Sequence, residues 1–237
     1  MTGAQGQTHV KRDRMWEGRP RIGGGVLLAL LLFVTPARAA DEMPEPVWRP
    51  LPAGVYTLDP AHASLLFRVD HLGMSHYTAR FTHFAAELEL DPADPAAARV
   101  TAWIDPRSLE TDNREPAYDF NAILQGPDWL DVVRFPDITF SSTQVEVTGP
   151  NTARVTGELG LHGVTAPVEL DVTFNGGYAS FALDPGGSRI GFSARGLLMR
   201  SAFGIALGIP PSGSTMGVSD AVEVIIEAEF TRPKPPG

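Results

Sequence analysis

Apolar side chains recur at every second position through most of the chain. Leu65, Phe67 and Val69 alternate with Leu66, Arg68 and Asp70, and Ala86, Leu88 and Leu90 with Glu87, Glu89 and Asp91. Successive side chains of an extended strand point to opposite faces, so this spacing marks half-buried antiparallel strands, each with one apolar face. Val100, Ala102 and Ile104 continue the series, as do Ile138 and Phe140, then Val155, Gly157, Leu159 and Leu161. Val168 through Phe174, Ile190 through Leu198 and Val222 through Phe230 show it over longer runs. With a first run at 55–58, the pattern predicts about nine strands. Gly149-Pro150-Asn151, Asn175-Gly176-Gly177 and Asp184-Pro185-Gly186-Gly187 have the chemistry of hairpin reversals, which predicts a meander.

So many one-faced strands must close on themselves or stack as a sandwich. Closure leaves no exposed edges, and about eight strands enclose an interior that side chains fill or that holds one small ligand. The expected fold is therefore all-β, an antiparallel up-and-down barrel of about eight or nine strands. Small inward residues (Ala86, Ala102, Gly157, Ala194, Gly196) favour a hollow interior, although they also balance large neighbours in a packed one. Two stretches break the alternation. Residues 116–133 space Phe120, Ile123 and Leu124, then Trp129, Leu130 and Val133, as one or two short helices bounded by Pro127 and Pro136, read as a cap over one end. Residues 201–217, rich in Gly, Pro and Ser, flank the mouth.

The N-terminus reads as a secretory signal over 1–39. Lys11, Arg12, Arg14, Arg19 and Arg21 precede an apolar run at 22–34, and Ala37-Arg38-Ala39 has the small-x-small form of a cleavage site. The run falls short of the roughly 20 apolar residues a spanning helix needs, so no permanent membrane anchor is expected. Residues 40–54 read as an extended tether, 55–231 as the barrel domain and 232–237 as a flexible tail. The expected location is the periplasm or the exterior. No cysteine occurs, which excludes a disulfide framework, a thiol nucleophile and a cysteine zinc site. The net charge of −9 becomes more negative on cleavage and disfavours nucleic acid as a partner.

Catalytic motifs are lacking. Gly213-Ser214-Thr215-Met216-Gly217 has threonine where a hydrolase elbow has its nucleophile, and no glycine-rich phosphate loop ends in Lys-Ser/Thr. His62, His71, His76, His83 and His162 form no compact ligand motif, and His62 and His162 are read as bonding loop backbone in turns. The expectation is a binding protein, with no catalytic residues, no metal and no cofactor other than a bound lipid.

Several segments resemble the YceI-like family of periplasmic isoprenoid-binding proteins. They are Tyr56-Thr57-Leu58-Asp59-Pro60-Ala61-His62-Ala63-Ser64, then Phe67-Arg68-Val69-Asp70-His71-Leu72-Gly73, then Phe81-Thr82-His83-Phe84. Ser108-Leu109-Glu110-Thr111-Asp112-Asn113, Trp129-Leu130-Asp131, Phe135-Pro136-Asp137-Ile138-Thr139-Phe140, the stretch 157–168 and Arg200-Ser201-Ala202-Phe203-Gly204 follow in the family's order. Met199 and Ala202 depart from the usual Asn and Asp, Glu115 from an Asp, and Ser219-Asp220-Ala221 from Gly-Asp-Glu. The resemblance implies a lipocalin-like barrel whose long apolar channel binds a polyprenyl chain or an isoprenoid quinone.

Inward parity then names the ligand-binding candidates: Phe67, Val69, Phe81, Phe84, Phe140, Phe192 and Leu198 on the wall, with Ile123, Leu124, Trp129 and Phe203 closing an end. His71 shares the parity of Phe67 and Val69 and is a candidate for a polar head group. So are Arg114, Arg195 and above all Arg200, which lies in the family motif. The functional expectation is an exported carrier or reservoir for an isoprenoid lipid, with a homodimer compatible. The alternative is a packed structural or interaction module of the cell envelope without cargo.

Overall fold

A strand with one apolar face is stable only when both its edges are paired and that face is covered. The computed structural model, which describes residues 51–180 and 186–233, meets both demands by closing a ring. The strands are β1 (Gly54–His71), β2 (Ser75–Phe81), β3 (Phe84–Leu90), β4 (Arg99–Ile104), β5 (Leu109–Glu110), β6 (Ile138–Val147), β7 (Thr152–Leu161), β8 (Val164–Tyr178), β9 (Gly187–Met199) and β10 (Val218–Pro233). One short helix, α1 (Phe120–Gln125), interrupts them between β5 and β6. The expected signal at 1–39, most of the expected tether, residues 181–185, which include the start of the expected reversal at 184–187, and residues 234–237 lie outside the described residues.

Each strand pairs antiparallel with its neighbours, and β10 returns to β1 with Leu65 opposite Ile226 and Phe67 opposite Val224. β1 is long enough to serve two partners on its other edge. Its first residues pair with β3, Tyr56 opposite Leu88, and its last with β2, Phe67 opposite Ala79. β2 and β3 thus act as one stave broken at Thr82-His83, and β4 continues into β5 in the same way, so the wall is an eight-stranded up-and-down barrel.

Three features differ from the alternation read along the chain. The runs at 55–58 and 65–69 belong to one strand, joined through a bulge in which 59–62 stand opposite Glu229 alone. The bulge is built by Asp59: Oδ1 accepts from the Ala61 N–H (3.0 Å), and Oδ2 from Arg189 Nη1 (2.6 Å) and His62 Nδ1 (2.9 Å). His62 therefore bonds a carboxylate rather than loop backbone. Asn175-Gly176-Gly177 is not a reversal either; β8 runs through it to Tyr178 with a register shift after Phe174, and Gly176 takes φ 137°. A glycine within a strand commonly marks such a bulge. Finally, β2 is a strand that the pattern left within a turn.

The side-chain core lies toward one end of the barrel, along one side of its interior. Tyr56, Leu58, Leu88, Leu90, Phe174, Ile190 and Phe230 pack there, with Tyr56 and Ile190 wholly buried. Tyr56 donates its hydroxyl to Pro52 O (2.6 Å), which satisfies the one polar atom that burial would otherwise strand. The opposite end carries the β1–β2 turn, α1, the β7–β8 turn and the β9–β10 connection. There His162 and Gly163 both take positive φ (52° and 75°), the geometry of a two-residue hairpin turn. Outward parity is charged: Arg154 pairs with Asp171 and Arg195 with Glu223, each at 3.1 Å. No helix among the described residues is long and apolar enough to cross a membrane.

Candidate functional site: the barrel lumen

Phe67, Val69, Phe81, Phe84, Phe140, Phe192 and Leu198 point inward, yet each is only half-buried. Their free surface faces a cavity of about 820 Å³ inside the barrel. That is within the roughly 300–1,000 Å³ of small-molecule sites, and its wall is almost wholly apolar. The cavity extends from Tyr118, Phe120, Leu124 and Trp129 at the helical end to Val147 and the Gly149–Thr152 turn at the other. A ten-residue stave rising ~3.3 Å per residue at ~40° tilt makes that span ~25 Å, so the space suits an elongated ligand.

The inward glycines do not simply leave room. A Cβ on Gly157 would collide with the ring of Phe140, and one on Gly196 would lie 2.6 Å from Leu170 Cδ2. These positions let neighbouring large side chains lie flat along the wall, while the hollow itself faces Ala86, Ala102 and the aromatic staves.

α1 is held over its end by side chains. Asp119 caps it by accepting from Ala122 N–H (3.0 Å), and Asn121 Oδ1 accepts from both the N–H (3.0 Å) and the hydroxyl (2.6 Å) of Thr111 after β5. Gln125 Nε2 donates to Arg107 O (3.0 Å). Docked this way, Phe120 and Leu124 reach the cavity, whereas Ile123 on the same helix is exposed and off the wall. Phe203 is also off the wall: it is buried beneath the end, and its carbonyl takes a hydrogen bond from His162 Nδ1 (2.9 Å). A carbonyl only accepts, so His162 carries its proton on Nδ1. Here a turn histidine does bond backbone, and its ring stands edge-on to Phe135, 4.6 Å between centroids.

Polar groups on the wall are few. His71 lies exposed at the rim, and Tyr77, which the alternation missed together with β2, donates to Thr111 O (3.1 Å). Arg200 is 4 % exposed and lines the cavity, with the Trp129 ring over its guanidinium at 5.3 Å. It donates to the carbonyls of Ser219 (2.9 Å), Ile205 (3.0 Å) and Val218 (2.9 Å), tying the helical turn at 200–203 to β10. Burial lowers its pKa, opposed by the nearby Asp220. Asp220 in turn accepts from Ser201 N–H and hydroxyl at 2.8 and 2.6 Å. Arg114 and Arg195 stand away from the lumen, paired with Asp112 (3.7 Å) and Glu223 (3.1 Å).

Asp59, His62 and Glu229 bring three potential ligand atoms within 4.8 Å of one another. Arg189 already supplies a cation there, donating 2.6 Å to Asp59 and 2.7 Å to Glu229. The hydrogen bonds from Arg189 and then His62 hold the Asp59 carboxyl down at about 2.

The YceI-like domain profile matches residues 56–230, from the Tyr56 of the core end to Phe230 of the closing strand. The chain belongs to the YceI-like domain family. A UPF0312 protein of Vibrio cholerae is 34 % identical over 180 residues, 75 % of this chain and 87 % of the relative. The Campylobacter jejuni YCEI protein shares the fold with a TM-score of 0.58 at 28 % identity, over 69 % of this chain and 90 % of that one. A polyisoprenoid binding domain from Saccharophagus degradans, implicated in plant cell wall breakdown, superposes with a TM-score of 0.50 at 16 % identity, over 75 % of this chain and 98 % of its own.

Proposed function

We propose that the protein is an exported carrier or reservoir that holds an isoprenoid lipid, a polyprenyl chain or a prenyl quinone, inside the barrel. The observation that carries this reading is the hollow, apolar lumen lined by half-buried inward side chains. Apolar surface left facing an empty space is stabilised by any hydrocarbon that fills it, at roughly 0.8 kcal/mol per CH₂ removed from water. Roughly twenty prenyl carbons would then contribute on the order of 16 kcal/mol gross, above most estimates of the cost of association. Binding therefore needs no metal and little polar contact, and selectivity rests on the length and width of the lumen. The Saccharophagus degradans domain, described as polyisoprenoid binding, has the same fold and points the same way. Export rests on the basic, apolar and small-residue succession over 1–39.

Mass spectrometry of protein purified gently from its native host, under native and lipid-extracting conditions, tests the reading. A stoichiometric prenyl species is the expected result. An empty protein that also refuses prenyl lipids added in vitro would make the barrel a structural module of the cell envelope.

A further inference from the structure

Large apolar side chains exposed to solvent collect at one end of the barrel. Met74 in the β1–β2 turn (74 % exposed), Tyr118 and Ile123 around α1, Val133 after it (87 %), and Leu207 and Met216 (72 %) in the β9–β10 connection all stand there. At the core end, among the described residues, Val55 and Val147 are exposed. The helical-end segments are joined to one another: Leu72 N–H donates to Gly217 O (2.8 Å), and Trp129 of the α1 segment packs on Arg200. The lumen wall reaches solvent at both ends, at Arg99, Val147 and Pro150 on the core side and at His71, Asn113 and Tyr118 here, and it is here that large exposed apolar side chains surround it. The apolar rim is thus continuous with the apolar wall of the lumen.

We propose that this end docks on the surface of a lipid bilayer, with Met74 and Met216 entering the interface. Side chains on separate turn tips around a hole give an interface plane purchase, whereas a protein seated on them would stopper the opening. Charge selects the kind of bilayer. The chain is acidic overall, and among the exposed charges of the α1 segment Asp112, Glu115, Asp119 and Asp128 outnumber Arg114 and Arg134, so the surface is zwitterionic rather than anionic. A prenyl chain passing from such a surface into the lumen would not cross water; this cargo route, unlike the docking, rests on the carrier reading above.

The test is flotation of the full chain with phosphatidylcholine vesicles that contain no prenyl lipid. The wild-type chain floats with the vesicles, and mixing phosphatidylglycerol into them weakens it. Met74→Glu with Met216→Glu, both at exposed positions, weakens flotation by at least about tenfold, the loss of one interfacial side chain's burial, while Val55→Glu at the opposite end changes nothing. Absence of flotation, or flotation strengthened by phosphatidylglycerol, overturns the proposal. So does flotation unchanged in the double variant, which would assign attachment to the apolar run at 22–34. A chain that floats as described yet takes up no prenyl quinone in solution sinks the carrier reading and leaves the docking surface standing.

Discussion

Filling the lumen from its own wall separates a hollow barrel from a packed one. Ala102 on β4 faces the cavity, with Ala86 opposite it on β3 and Phe140 on β6. Leucine at 102 adds three carbons. In a close-packed core such an insertion costs about 1–3 kcal/mol, because neighbours are pushed off their rotamers. Into empty space it instead covers apolar surface, for a gain of up to about 2 kcal/mol at ~0.8 kcal/mol per carbon. For a barrel of this size that sign difference appears as a melting temperature raised by up to about 4–8 °C rather than lowered. The same three carbons displace a comparable length of bound hydrocarbon, so cargo affinity should fall about fiftyfold. Thermal unfolding of delipidated protein and a prenyl-quinone binding isotherm read the two effects. A lowered melting temperature with unchanged affinity would refute both the hollow interior and its use as the binding site.

Phe192→Asp places a charge among Phe174 and Phe230, whose ring centroids lie 5.7 and 6.2 Å away; it should abolish cargo loading, and a folded variant that loads lipid fully would count against the lumen. Asp59, held at about 2 against an ordinary 3.8, contributes about 2 kcal/mol above pH 4 that is lost as pH falls from near 4 to 2. Denaturant unfolding across that range should show the loss in the parent chain and a flatter profile in Asp59→Asn. Gly163→Ala forces a side chain onto a φ of 75°, with its Cβ against the Phe135 ring, and should destabilise by at least about 1 kcal/mol in urea. Arg200→Met leaves the carbonyls of Ser219, Ile205 and Val218 without their donor, at about 3–5 kcal/mol; a loss under about 1 kcal/mol would mean that water replaces the guanidinium.

Parity alone placed most of the lumen wall. The period of two carries Leu65 to the side of 67 and 69, the apolar parity of their own strands does the same for Leu159 and Val224, and the structure puts all of them on the cavity with 140, 192 and 198. The reading failed where local chemistry outweighed periodicity. Ser75–Phe81 escaped notice because only Tyr77 and Phe81 are large on its inward face, although Tyr77, Ala79 and Phe81 do alternate with His76, Thr78 and Arg80. Asn175-Gly176-Gly177 carries the composition of a turn and serves as a bulge, since pairing with β9 extends the strand past it. Ile123 and Leu124 are neighbours on one helical turn, and only docking through Asn121 and Gln125 decides which of them meets the cavity.

The sequence by itself determined most of the elements, the face most strands bury and the kinship of the chain, because alternation, turn residues and motif order are local properties that survive without coordinates. Whether the barrel is hollow, which end carries the packed core, and where Arg200 spends its donors were decided only by tertiary structure. Those depend on stave register, on the bulge at Asp59 and on how Phe140 and Leu170 lie over glycines in the strands beside them. A cavity is the volume left after every side chain is placed, a property of the closed ring that no single segment carries.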